Sequence, residues 1–473
     1  MLADKSFKAM VHAIRPSARI PEKKDCVTTM RTVKKSMMEK VSRLIEGEHV
    51  CITSDGWTSC ANDTYMSLTL TLITSAWKLV TLSVDCSKSE GTTTGDALAA
   101  GVKAAVAKHG LTGKVTAVTT DYEPSMVKMG RLLEGDATVC THIGCCNHRL
   151  ESTTSIVFNG PGINKVMAMA RGLVSRYTTS SQAADRLKQF VKTYLGVDNK
   201  RVIQDVVTRW WSTCSMAARL IELEVPIKMH EAADKLDPLL SAADWAVLKM
   251  ILPVLEPFRN TQTLLEGRKY VTGSLVVPFI YDLRNSLEDA ALRDDFINRW
   301  GDGRNILIYK EGRRRQPGGF KPVQVLATAL DPRTKILYGV DEDEKADVWK
   351  LVEEEAVKIA VETRNSENSQ RASSQQGPEA AAGPTSSPTS AGAEESSRKR
   401  PRRGGGIKMY EEDKEGAKVY LDPLDWWRVR CADFPHLANL ARRVLAIPAT
   451  QAESERLFSC AGNIVTKNRN NLA

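Results

Sequence analysis

The N-terminal run MLADKSFKAMVHAIRP has no apolar core of the kind a secretory leader carries, and no leader is expected. No stretch of the 473 residues is long and apolar enough to span a bilayer, so no membrane partner is expected. Cys26 is the only cysteine among the first fifty residues, and no Cys-x2-Cys followed by a spaced His pair occurs there. A zinc-finger DNA reader is therefore not expected at this end, and zinc is not an expected cofactor. The chain has no internal repeat.

Ten cysteines lie scattered along the chain, and without a leader they read as reduced thiols of an intracellular protein. Hydrophobic residues make up 42%, enough for a sizeable core and too many for global disorder. The length suggests two to four domains. A net charge of +9 permits a nucleic-acid partner without proving one.

Residues 1–48 are polar and helical in character: Met37, Met38, Val41, Leu44 and Ile45 recur at helical spacing, and Gly47 sits where a helix would end. The period then changes. Residues 49–55, 65–74 and 79–86 are rich in Val, Ile, Thr and Leu, and predict three consecutive strands. A helix over 94–109, a strand over 115–120 and a helix over about 123–134 follow, which predicts an α/β sheet carrying helices. Residues 162–365 are dominated by helical patterns, and the run 242–257 is expected to break at Pro253. Residues 364–406 are polar, low in complexity and almost free of large apolar groups, so a disordered linker is expected, ending in the basic run Arg398–Arg403. Folded sequence resumes from 407 to the end.

Several residues could carry chemistry. Asp55 and Asp121 each close a β-rich run, and two carboxylates at neighbouring strand ends can converge on a hard divalent cation. The competing reading is that each only caps the turn or helix that follows. His142, Cys145, Cys146 and His148 are local to one another with no second pair at finger spacing, which favours a buried cysteine and a hydrogen-bonded histidine over zinc. Arg209, beside Trp210 and Trp211, suits phosphate contact plus stacking on an unpaired base, although the local sequence favours a core indole with a surface cation. Arg313-Arg314-Arg315 fits a backbone contact or a solvated loop. Leu437, Leu440, Ala441, Val444 and Leu445 share a helical face that fits a core or a partner surface, and Ile447-Pro448 ends that helix. Glu455, taken alone, reads as a surface charge.

Taken in order, these segments resemble the hAT superfamily of transposases. Thr53-Ser54-Asp55-Gly56-Trp57-Thr58 resembles the first catalytic block and Thr119-Thr120-Asp121 the second, followed by Cys145-x-x-His148-x-Leu150. Asp205-x-x-Thr208-Arg209-Trp210 resembles the family's Arg-Trp motif, and Leu330-Asp331-Pro332-Arg333 its Leu-Asp-Pro-Arg segment. Pro423-Leu424-x-Trp426-Trp427, Ile447-Pro448-Ala449-Thr450 and Ser454-Glu455-Arg456-x-Phe458-Ser459 resemble the C-terminal dimerisation region. The second block departs from the family in reading Asp121-Tyr122-Glu123-Pro124 where Asn usually follows the Asp.

The resemblance implies an α/β RNase H-like core over 49–215, interrupted by a large all-helical insertion over 216–363. A C-terminal helical dimerisation segment over 407–473 follows. It implies that Asp55, Asp121 and Glu455 bind Mg²⁺ and catalyse DNA strand cleavage and transfer. It implies that His148, Arg209 and Trp210 contact DNA. It further implies self-association, as a homodimer or higher oligomer, through Trp426, Trp427, Leu437, Leu440, Val444, Leu445 and Phe458. The basic run, in an accessible segment, suggests the nucleus. A non-enzymatic, domesticated nuclear protein that keeps the dimerisation region is the alternative.

Overall fold

A computed structural model describes residues 5–59, 63–88, 94–139, 141–206, 210–301, 319–374, 410–412, 418–420 and 422–464. The chain divides into two compact units, one of residues 1–143 with 451–473 and the other of 144–450. The expected α/β core therefore ends at Ile143 and not at 215, and the helical insertion begins at Gly144.

The first unit opens with two helices, α1 (Lys5–Ile14) and α2 (Lys23–Ile45). Pro16 and Pro21 fall between them, each lacking the N–H that a continuous helix would need. The end of α2 is as expected: Gly47, just past the C-cap, takes a φ of +76°, where a side chain would be strained.

Three antiparallel-connected strands follow, β1 (Val50–Thr58), β2 (Thr64–Ile73) and β3 (Leu79–Lys88). Helix α3 (Gly95–Lys108) is capped by the Thr94 side chain, which accepts from the Ala97 N–H. It leads to β4 (Val115–Thr120), α4 (Pro124–Gly135) and the short β5 (Thr141–Gly144), which periodicity did not reveal. The sheet order is β3-β2-β1-β4-β5, with β4 running parallel to β1.

Its core is Ile52, Leu68, Leu70 and Leu72 from the sheet, packed with Leu98, Val102 and Val106 of α3 and Met129 and Leu133 of α4. Gly95 permits the close approach of the two helices, since a Cβ there would stand 2.6 Å from Lys128 Cβ.

The second unit is helical. It comprises α5 (Cys146–Phe158), α6 (Ile163–Thr179), α7 (Ser181–Leu195), α8 (Trp210–Glu222), α9 (Glu224–Ala233), α10 (Ala242–Leu265), α11 (Val276–Ser286), α12 (Ala290–Trp300), α13 (Pro322–Leu330) and α14 (Glu342–Ser374). A two-stranded ribbon, β6 (Tyr410–Glu412) with β7 (Lys418–Tyr420), precedes α15 (Pro423–Arg430) and α16 (Pro435–Leu445).

Helix α10 does not break at Pro253 but runs through both Pro253 and Pro257. Pro253 is exposed, so the carbonyl it leaves free can meet water, while Trp245, Leu248, Leu255 and Phe258 on the opposite face are buried. Helix α14 runs on to Ser374, so the first part of the expected linker is helical; residues 375–409, with the basic run 398–403, lie outside the described residues.

The chain returns to the first unit with α17 (Ala452–Ile464), which packs on β1 and β2. The expected C-terminal module is thus split: α15 and α16 belong to the helical unit and α17 to the sheet unit. The result is an α/β RNase-like fold interrupted by a helical insertion. Among the described residues, no helix is long and apolar enough to cross a membrane.

Candidate active site

Parallel pairing of β1 and β4 sets Thr53 opposite Thr119. Two residues further along the chain from each stand Asp55, within β1, and Asp121, just past the end of β4. Both are half-buried. The strands differ in how they end. Asp121 follows the last residue of β4, as expected. Asp55 does not close its strand: β1 continues to Thr58, because β2 keeps pairing with it through Asp55↔Ser67, Gly56↔Met66 and Trp57↔Tyr65. Each carboxylate accepts a nearby backbone N–H, Asp55 Oδ1 from Gly56 at 2.8 Å and Asp121 Oδ1 from Glu123 at 3.0 Å.

Helix α17 is fixed on β1 by contacts on either side of Glu455. Ser454 Oγ meets Thr53 Oγ1 at 3.4 Å, and the Phe458 ring stacks on Trp57 with centroids 5.8 Å apart. Thr53 and Trp57 flank Asp55 along the strand, so the helix that carries Glu455 lies against the part of β1 that carries Asp55.

Asp121 is also held from behind. Thr120 Oγ1 donates to the Asp121 carbonyl and pairs with His142 Nε2 at 2.8 Å. The His142 ring occupies the place a side chain on Gly130 would need, 2.2 Å from an added Cβ. Glu134 Oε1 accepts from the His142 N–H and from Thr141 Oγ1. Spacing along the chain gave no sign of this support, which joins α4 to β5.

Three carboxylates of this kind offer the hard oxygen donors a divalent cation prefers. Their placement does not complete a ligand set. Among the described residues, no three His, Cys, Asp or Glu side chains stand close enough together to hold one ion. The expected Asp55–Asp121–Glu455 metal site is thus in one unit and on adjoining elements, but its side chains are not gathered into a ligand set.

In the helical unit, the residues matched to the Arg-Trp motif are mostly structural. Asp205 is buried and accepts from Arg171 Nε at 2.8 Å and Thr213 Oγ1 at 3.0 Å. Trp210 is 6% exposed and packs edge-on to Phe258, so it does not offer a free face to DNA. The exposed indole is its neighbour, Trp211, at 38%. Arg209 and Arg313–Arg315 lie outside the described residues. His148, half-buried, sits in the first turn of α5. Cys145 and Cys146 are buried, and burial holds the Cys146 thiol well above its usual range.

The Leu-Asp-Pro-Arg segment forms a lock. Arg333 donates from Nε, Nη2 and its backbone N–H to the fully buried Asp331 carboxylate, which also accepts from Ser274 Oγ at 2.6 Å. Trp427 Nε1 donates to the Leu330 carbonyl at 2.8 Å. Trp427, Leu440, Val444 and Leu445 are therefore core residues of their own unit, and Phe458 is buried on β1. Of the residues expected at a dimer interface, only Trp426 and Leu437 stay half-buried.

Residues 408–473 match the hAT family C-terminal dimerisation region. Residues 53–142 match the ZBED1 RNase-like domain and 143–254 the ZBED1 RNase-like helical domain, which meet where the two units divide. The chain is thus similar to the hAT family over its C-terminal region and to ZBED1 over its RNase-like and helical domains.

Among its relatives, a Zea mays protein named for the AC transposase is 23% identical over 89% of this chain and 54% of its own length. The human zinc finger BED domain-containing protein 4 is 25% identical over 63% of this chain and 25% of its own. The Arabidopsis thaliana zinc finger BED domain-containing protein DAYSLEEPER is 23% identical over 92% of this chain and 63% of its own. The chain thus spans about half the length of the maize relative and a quarter of the human one. Its dimerisation region supports self-association, and RNase-like and transposase relatives are compatible with divalent-metal chemistry.

Proposed function

We propose that this chain acts on DNA as a self-associated hAT-type transposase or transposase-derived protein. DNA strand cleavage and transfer is the reaction its acids would serve, with Mg²⁺ as the metal. The observation that carries this reading is the matched placement of Asp55 and Asp121 on adjacent parallel strands, with the Glu455 helix docked beside Asp55. The acids lie on adjoining elements of one unit, and catalytic contacts that are long in a free protein often tighten only when substrate is bound. DNA as partner and the nucleus as location follow from the transposase and BED-finger relatives and from the mildly basic charge.

The second reading is a domesticated, non-enzymatic nuclear protein. The ungathered carboxylates favour it. Strand cleavage on hairpin and duplex DNA with Mg²⁺ or Mn²⁺ separates the two, with wild type beside Asp121→Ala and Glu455→Ala. Cleavage that both substitutions abolish establishes the enzyme. Binding to DNA without cleavage under either metal supports the domesticated protein.

A further inference from the structure

The face of the helical unit that stays open is not the one the α16 pattern suggested. Leu440, Val444 and Leu445 are spent inside, against α13 and α14. Beside them an apolar groove of about 630 Å³ lies between α14 on one wall and the α15–α16 corner on the other. Trp349, Val357 and Ala360 line one side, and Trp426, Phe434 and Leu437 the other. Trp349 is 43% exposed, Val357 56% and Phe434 46%, so large apolar groups meet water along both walls. Such a patch signals a docking site.

We infer that this groove is the seat of a second copy of this chain, packed two-fold so that each copy's α14 lies along the other's groove. This rests on the reading that the chain self-associates, and it names the surface. Two observations select a second copy as the occupant. The groove is continuous with the matched dimerisation region, which supplies α15 and α16, while α14 lies outside that region.

The charges are also self-complementary. Helix α14 carries Glu353 and Glu354 beside Val357, whereas the α15–α16 wall carries Arg430 and Arg442; Arg428 and Arg443 are paired within the chain, with Asp425 and with Glu362 of α14. A two-fold axis brings the acidic helix of each copy to the basic wall of the other. Arg430 already lies over the Trp426 ring at 5.0 Å, and Lys335 approaches the same ring at 5.7 Å, so cations gather at the rim on the α15 side. Ala356 and Ala360, one turn apart, leave room for a closely approaching helix.

The test is sedimentation of the full chain across nanomolar to high micromolar concentrations, for wild type, Trp349→Glu, Val357→Arg and the control Met250→Lys. Met250 is 65% exposed on α10 and absent from the groove. All three positions are exposed, and matching thermal melts confirm folding. The groove variants are expected to raise the dimer dissociation constant about tenfold or more, with the control at wild type. Equal self-association in all four chains overturns the groove as the interface while keeping self-association. A wild type that stays monomeric throughout overturns both.

Discussion

The Phe458 ring lies against Trp57 with 5.8 Å between centroids and 22° between planes. This stack ties the last described helix to the first strand across nearly the whole length of the chain, and Phe458 is only 6% exposed. Phe458→Ala should therefore destabilise the sheet unit by about 3–5 kcal/mol, the usual range for emptying a buried aromatic site. Denaturant unfolding measures it. Hydrogen exchange should also show β1 amides near Trp57 exchanging faster. A loss under about 1 kcal/mol would mean that α17 is held mainly by other contacts.

Gly130 and Gly172 should respond in opposite directions to alanine. At Gly130 an added Cβ falls on the His142 ring, so the ring must leave Thr120 or the helix must shift. Overpacking of this kind costs about 1–3 kcal/mol. At Gly172, inside α6, nothing lies within 4 Å of an added Cβ, and the gain in helix propensity should add about 0.5–1 kcal/mol. Equal effects at the two positions in thermal melts would argue against the His142 packing.

The alternating period of 65–74 and the apolar face of 94–109 carried the sheet and its covering helix, because both depend on residues close in sequence. The length of β1 did not show, since its continuation past Asp55 depends on pairing with β2. Pro253 was expected to end α10, but it sits on the outer face, where a free carbonyl finds water. At the candidate site, the two aspartates could be picked out, yet their spacing says nothing of whether side chains converge. Trp210 and Trp211 are adjacent on a helix and point about 100° apart, so no local pattern chooses which is core. The same holds for α16, where an apolar face fits a core as well as a partner.

Trp210 and Trp211 should separate folding from binding. Trp210 packs on Phe258, and Trp210→Ala should cost about 3–5 kcal/mol in unfolding measurements. Trp211→Ala should leave stability within about 0.5 kcal/mol, as surface changes do. If the proposed DNA role is right, Trp211→Ala should also weaken single-strand binding by about 1–3 kcal/mol, the range for one stacked base. Fluorescence anisotropy with a labelled oligonucleotide gives the answer, and unchanged affinity would remove Trp211 from the interface.

Asp331→Ala should be among the most damaging single changes in the helical unit. The Asp331 side chain is fully buried and that of Arg333 is 5% exposed, so removing the carboxylate strands a cation in the interior. Breaking one side of such a pair costs about 3–5 kcal/mol. The double change Asp331→Leu with Arg333→Met removes both charges and should recover much of that loss. A double variant no more stable than the single one would show that Ser274 and the Val271 carbonyl, and not the charge pairing, set the value of the site.

The helical unit should weaken in mild acid through His230. Its ring is buried between Tyr177, whose Oη is 3.0 Å from Nδ1, and Asp234, whose Oδ2 is 3.2 Å from Nε2. Desolvation lowers its pKa below the ordinary 6.5, opposed by Asp234 and aided by Arg186 and Arg176. The unfolded chain then binds a proton more readily than the folded one, so stability is fully present above about pH 6.5 and falls as pH drops below it. Glu231, raised by burial, faces the same cluster with the opposite sign: the folded chain holds its proton more readily, so it opposes the loss as pH falls. A His230→Gln variant keeps a side chain able to bond both neighbours but cannot gain the proton. Its unfolding free energy should be flatter than wild type between pH 6.5 and 5.5. Parallel profiles for the two proteins would show that His230 does not carry the acid sensitivity.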